Sequence, residues 1–90
     1  MIKMNKEINI AIIGLGQIGN YLYNELNKKK KEIEKKTEKK IKIVAISAKN
    51  KNKKRQFKIN KKIFYNNPLD IFQKQRIDIL FESIGLADGV

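Results

Sequence analysis

Hydrophobic positions along this chain switch between short unbroken runs and helical spacing, and that alternation predicts its elements. Ile8-Asn9-Ile10-Ala11-Ile12-Ile13 is nearly continuous in apolar residues, the pattern of a strand buried on both faces of a parallel sheet. From Gln17 to Lys39, Ile18, Leu22, Leu26 and Ile33 recur near helical spacing. This predicts one long helix, with Tyr21, Tyr23 and the lysines off its buried stripe. Ile41-Lys42-Ile43-Val44-Ala45-Ile46 is a second strand ending at Ser47, and Lys49 to Asn60, with little apolar content, reads as an exposed loop. A smaller version of the unit follows. Ile63-Phe64-Tyr65 is a short strand, and Asn67 caps a helix from Pro68 to Gln75 that presents Leu69, Ile71 and Phe72. Ile77-Asp78-Ile79-Leu80-Phe81 is a fourth strand, breaking at Glu82-Ser83-Ile84-Gly85.

Directly behind the first strand stands Gly14-Leu15-Gly16-Gln17-Ile18-Gly19. A strand, then G-x-G-x-x-G, then a helix is the phosphate-binding turn of a dinucleotide-binding fold. Gly14 lets the chain turn sharply at the strand end. Gly16, without a Cβ, lets a pyrophosphate approach the backbone N–H groups and positive end of the helix. The right-handed crossover rule makes the strands parallel, in the order 3-2-1-4. The expected fold class is therefore α/β, a Rossmann-like doubly wound parallel sheet of about four strands. A complete domain of this kind usually adds two more, so the sheet is expected to be incomplete. Residues 1–90 read as the N-terminal part of an NAD(P)-binding domain, with the substrate domain absent.

Composition narrows the chemistry. Ninety residues make at most one small domain, able to bury about 60–65% of its unfolded surface. The chain has no cysteine and no histidine, which excludes disulfides, thiolate metal sites and imidazole bases, and no metal site is expected. No apolar run approaches the ~20 residues of a membrane helix, and no signal-peptide core follows the N-terminus. A cytoplasmic protein without a membrane partner is the expectation.

A net charge of +12 with pI near 10.0 is ordinarily the footprint of a nucleic-acid or anionic-membrane partner. Here isoleucine, lysine and asparagine make up 45 of the 90 residues, as A/T-rich codons would impose. Lys28 to Lys40 also carries Glu32, Glu34 and Glu38, like a solvated helix face. Aromatics do not interleave with the basic residues as a stacking platform requires. The expected partner is a nicotinamide dinucleotide and not a nucleic acid.

The end of the second strand speaks to which dinucleotide. An NAD site normally places an acid there for the ribose hydroxyls, and an NADP site replaces it. Ser47-Ala48-Lys49 stands at that position, and no acid occurs from Ile41 to Lys62. Ser47 can donate to a 2′-phosphate and Lys49 can pair with it, so NADP is favoured, with NAD as the alternative.

Taken together, Ile10 to Gly19, the long first helix, Val44-Ala45-Ile46-Ser47-Ala48-Lys49, the Asn67-Pro68 turn and Ile77 to Gly85 resemble the N-terminal part of homoserine dehydrogenase. The most specific piece is the Asp-x-x-x-Glu-x-Ile-Gly run from Asp78 to Gly85. The resemblance covers nearly the whole chain. It implies NAD(P)H-dependent reduction of aspartate 4-semialdehyde to homoserine, on the route to threonine and methionine. Carried over, Gly14, Gly16, Gln17, Ile18 and Gly19 would hold the pyrophosphate, Ser47 and Lys49 the adenosine ribose or its phosphate. Ser83 and Ile84 would line the nicotinamide side of the cleft. Leu86 stands where a second glycine is common, and Ser83 where a Leu or Ala is common. Glu82 either orients the cofactor or a neighbouring backbone amide, or else caps the next helix or is solvated, and Asp78 falls at the solvated strand start opposite the cleft.

The family's catalytic lysine and substrate carboxylates lie beyond the fourth strand, so no catalytic residue is assigned within residues 1–90. These residues alone are expected to bind a dinucleotide weakly or not at all and to lack dehydrogenase activity. The whole protein is expected to take a small-molecule substrate and to be a homo-oligomer. Two alternatives stand beside this reading: another oxidoreductase of the same fold, of the aspartate or sugar dehydrogenase type, and a non-enzymatic basic module binding nucleotides or nucleic acid.

Overall fold

The computed structural model describes residues 7–82. Its elements run β1 (Glu7–Ile13), α1 (Gln17–Lys28), α2 (Lys30–Thr37), β2 (Lys40–Ser47), a 3-10 turn (Lys61–Ile63), α3 (Pro68–Lys74) and β3 (Ile79–Glu82). All three strands are parallel, in the order β2-β1-β3. The strand expected at Ile63-Phe64-Tyr65 reduces to one parallel bridge between Phe64 and Ile46 on the free side of β2. The 3-10 turn takes Lys61 to Ile63 out of extended geometry and leaves only Phe64 and Tyr65 to run beside β2, where the Tyr65 N–H donates to the Ile46 carbonyl at 2.8 Å. Counting that bridge, the spatial order is the expected 3-2-1-4, and β3 is the fourth strand of the sequence reading.

Strand alternation sorts the core into two layers. Ile10 and Ile12 of β1 pack with Ile41 and Ile46 of β2, Leu15 and Tyr23 on the face that α1 covers. Ala11, Ile13, Val44 and Ala45 meet Ile71 of α3 on the other. In β2 a strict period of two would send Ile43 and Ile46 to opposite faces, yet both belong to the α1 layer. The register explains it: Ile10 pairs with Ile43 but Ala11 with Ala45, so one extra residue, Val44, inverts the alternation as a β-bulge does. Deleting Val44 should then leave both halves of β2 in phase and cost about 1.5–3 kcal/mol, the burial of one valine. Deleting Ala11, where no bulge exists to give up, moves Ile12 into the cluster around Ile71 and overpacks it. That variant is expected to lose its cooperative transition in urea while the Val44 deletion keeps one.

The long helix predicted over 17–39 is two, separated at Lys29 (φ −100°, ψ 10°). Backbone bonds still run from Lys29 to Glu25 and from Ile33 to Lys29, at 2.9 Å each. The kink falls between Leu26 and Ile33, where the sequence offers no apolar side chain to hold the helix on the sheet. Of the expected stripe, Leu22, Leu26 and Ile33 pack against the core, while Ile18 does not and Tyr23 joins it. Ile18 is 54% exposed and Tyr23 only 7%, so the inward face of α1 begins with Gly19 and Asn20 and continues through Tyr23.

Asn67 caps α3 as expected, its side chain accepting from the Leu69 N–H at 3.0 Å. Of the three apolar residues assigned to that helix only Ile71 is buried, while Leu69 and Phe72 are exposed. At the amino ends of the strands, the Asp78 carboxylate accepts from the Asn9 N–H at 2.8 Å and pairs with Arg76 at 2.6 Å. That corner lies opposite the glycine turn, as expected for Asp78.

Candidate cofactor site

Parallel strands bring the carboxyl ends of β1, β2 and β3 to one edge of the sheet, where open α/β folds bind their ligands. There β1 turns into α1 through Gly14, which is buried at φ 93°, a left-handed conformation that suits a residue without a Cβ. The Gly14 N–H donates to the Ser47 carbonyl at 2.7 Å, joining the turn to the end of β2. Leu15 is buried beneath the turn. Gly16 forms the N-cap of α1, and the first helical bond runs from Asn20 N–H to Gly16 carbonyl at 2.8 Å. The amides of residues 17 to 19 therefore have no intrahelical acceptor, and no acid stands in the first turn to offset the positive end of the helix. An anion is the complement of such an end.

Facing this turn is the segment predicted as an exposed loop. Its side chains are largely exposed, but its backbone is fastened to α1 and to the glycine turn. The Asn20 side chain accepts from the Phe57 N–H at 2.8 Å and donates to the Phe57 carbonyl at 3.0 Å. The Tyr23 hydroxyl accepts from the Asn60 N–H at 2.9 Å. Arg55 reaches back to the Leu15 carbonyl at 3.1 Å and also donates to the carbonyls of Lys53 and Asn50. The result is a cleft of about 210 Å³ between Gly16, Gln17 and Asn20 on one side and Lys53, Lys54 and Arg55 on the other. That volume is below the ~300–1,000 Å³ usual for a whole ligand pocket and suits the phosphate-bearing part of a larger molecule. Lys53 and Lys54 take part in none of the ion pairs among the described residues.

The sequence-predicted residues divide accordingly. Gly14, Gly16, Gln17, Ile18 and Gly19 sit together at the turn and first helical residues, with Gly16 and Gln17 lining the cleft. Ser47 is 2% exposed and its hydroxyl donates to the Tyr65 carbonyl at 2.7 Å. A hydroxyl has one proton to give, and here that of Ser47 goes to Tyr65 at the sheet edge, so donation to a ribose phosphate would require this bond to be exchanged. Lys49 is exposed and outside the cleft lining. Glu82 is exposed at the end of β3, in register with Ile13. Ser83 and Ile84 lie outside the described residues. Sequence reasoning missed Asn20, Lys53, Lys54 and Arg55. The signals available were an amide directly after the last motif glycine and one of only two arginines in a chain of lysines.

A glycine turn from a central parallel strand, an anion-ready helix end and a cationic wall define a dinucleotide-binding domain of the Rossmann class. Gly16 fits that group, because any side chain at this position would occupy the cleft. The chain belongs to the oxidoreductase family with an NAD-binding Rossmann fold, whose model matches residues 8–83. Among solved structures it is similar to S. aureus homoserine dehydrogenase: 28% identity and TM-score 0.77 over 86% of this chain for the structure at pH 7.5. The same enzyme at pH 6.5 gives 28% identity and TM-score 0.76 over 88% of this chain. In both comparisons the chain spans 20% of the length of the solved protein. The search of curated proteins gives no match. Among the described residues, no helix is long and apolar enough to cross a membrane and no His, Cys, Asp and Glu cluster could hold a metal ion.

Proposed function

We propose that this chain is the NADP(H)-binding part of a homoserine dehydrogenase, the enzyme that reduces L-aspartate 4-semialdehyde to L-homoserine. The observation that carries the reading is the agreement in both sequence and backbone with S. aureus homoserine dehydrogenase across 86% of the chain. The glycine turn is shared with other dehydrogenases of the fold; the Asp78 to Gly85 run favours this enzyme among them. In this reading the α1 amides and Gly16 hold the pyrophosphate. The adenosine 2′-phosphate falls to the cations of the Lys53–Arg55 segment, in place of Ser47. The nicotinamide, when bound, supplies or accepts the hydride. A cytoplasmic, homo-oligomeric whole protein goes with it.

The absence of any acid between Ile41 and Lys62 supports NADP over NAD, since a carboxylate beside the ribose would repel the added phosphate. Homoserine oxidation by the whole protein, followed through NADPH or NADH formation, tests the reading. Turnover of homoserine, faster with NADP than with NAD, is the expected outcome. Turnover of a polyol or another amino acid with homoserine inert would assign the chain to a different dehydrogenase.

A further inference from the structure

Asn20 is the one polar side chain of α1 that is almost wholly buried, at 3% exposure. Its backbone N–H closes the first turn of the helix on Gly16, and its side chain pairs with both backbone groups of Phe57. One residue therefore spans from the phosphate turn to the basic loop. Between Asn50 and Phe57 the loop has no strand or helix to fix its course. Its shape is held by the Asn20–Phe57 pair at one end, by the Arg55 bonds to Leu15, Lys53 and Asn50 within it, and at the other end by the Asn52 N–H bond to the Asn50 side chain and the Lys61 bond to Asn52. Lys53 and Lys54 project from that stretch into the wall of the cleft. Two hydrogen bonds from a buried amide give a defined distance, which long flexible lysine stems cannot set for themselves.

We infer that Asn20 is a positioning residue that holds Lys53 and Lys54 over the glycine turn and thereby sets the preference for a 2′-phosphorylated dinucleotide. The inference rests on the dinucleotide reading above and adds the device that selects between its two forms. An asparagine amide suits the task because it offers one acceptor and one donor in the plane that a backbone N–H and C=O require.

The test measures NADPH and NADH affinity calorimetrically in the whole protein, for wild type, Asn20→Ala, Lys53→Ala/Lys54→Ala and the combined variant. The expected result is a loss of about tenfold in NADPH affinity on Asn20→Ala, with NADH changed by less than about threefold. The same substitution should have no further effect on discrimination once both lysines are gone. If Asn20→Ala does not fold, Asn20→Ser, which is too short to make both bonds to Phe57, replaces it in the cycle. Equal weakening of both nucleotides by the Asn20 variant would make the residue structural and overturn the inference. So would discrimination lost with the lysines and kept without Asn20, an outcome that leaves the dinucleotide reading standing. Failure of folded wild-type protein to bind either nucleotide would overturn that reading, and the inference with it.

Discussion

Gly16→Asp is expected to weaken binding of a nicotinamide dinucleotide by at least about a hundredfold, roughly 2.7 kcal/mol, without destabilising the fold. The two halves of this expectation have separate causes. Gly16 sits at φ −73° and ψ −157°, extended backbone that any residue adopts, so no strain opposes the substitution. It is also the N-cap of α1 and has no side chain to cap the helix. Aspartate is a favoured N-cap, and its carboxylate complements the positive end of the helix, so stability should stay level or rise by a few tenths of a kcal/mol. Binding loses on both counts that matter for an anion. The new side chain fills the cleft beside Gln17 and Asn20, and its charge occupies the helix end that a phosphate would use. A melting curve and a nucleotide titration on the same preparation separate the two effects. A variant that unfolds would show the glycine to be structural only.

Tyr23→Ala should cost about 3–5 kcal/mol, as large aromatic deletions in a core do, whereas Ile18→Ala should cost less than about 1 kcal/mol. Tyr23 packs with Ile10, Ile12 and Ile46, and its hydroxyl fixes the Asn60 N–H. Ile18, five residues earlier, lies more than half in solvent. Against a stability on the order of 5–13 kcal/mol for a domain of this size, the loss at Tyr23 is a large fraction, so the tyrosine variant should unfold at a markedly lower urea concentration than the isoleucine one. Urea unfolding of the two variants gives the answer directly. The reverse ranking would mean that α1 is rotated on the sheet, with Ile18 inward and Asn20 unable to reach Phe57.

That pair also marks where the sequence was legible and where it was not. Strands β1 and β2, the glycine turn and the Asn67 cap were readable because each depends on neighbours in the chain: an apolar run, a motif, an Asx cap before proline. Along α1 and α2 the apolar spacing finds Leu22, Leu26 and Ile33, which do pack on the core, but not the start of the inner face of α1 at Gly19 and Asn20, which a hydrophobic count passes over. It continues with Tyr23, whose polar tip hides an apolar body. The basic loop read as exposed because its attachment uses no periodic signal. Asn20 and Arg55 bind backbone groups 37 and 40 residues away, and composition carries no trace of such a bond. Ser47 was assigned by its place at the strand end. What the position did not disclose was the Tyr65 carbonyl within reach of its hydroxyl.

The bulge at Val44 bears on the site. By inverting the alternation of β2 it keeps Ile46 in the α1 layer. Ser47, one residue on, then pairs with Ile13 in register and holds the Gly14 N–H, so the turn is anchored to a strand end fixed by the core. Packing of the sheet and placement of the phosphate turn are thus the same set of contacts.

Calorimetric titration of NADPH and of NADH into the folded protein, at low and at moderate salt, decides whether the glycine turn binds a dinucleotide. Both are expected to bind, NADPH more tightly, with added salt narrowing the gap, since exposed lysines holding the extra phosphate would have their attraction screened. Absence of binding by either nucleotide to folded protein would contradict this reading, leaving the glycine turn as a feature of the fold alone.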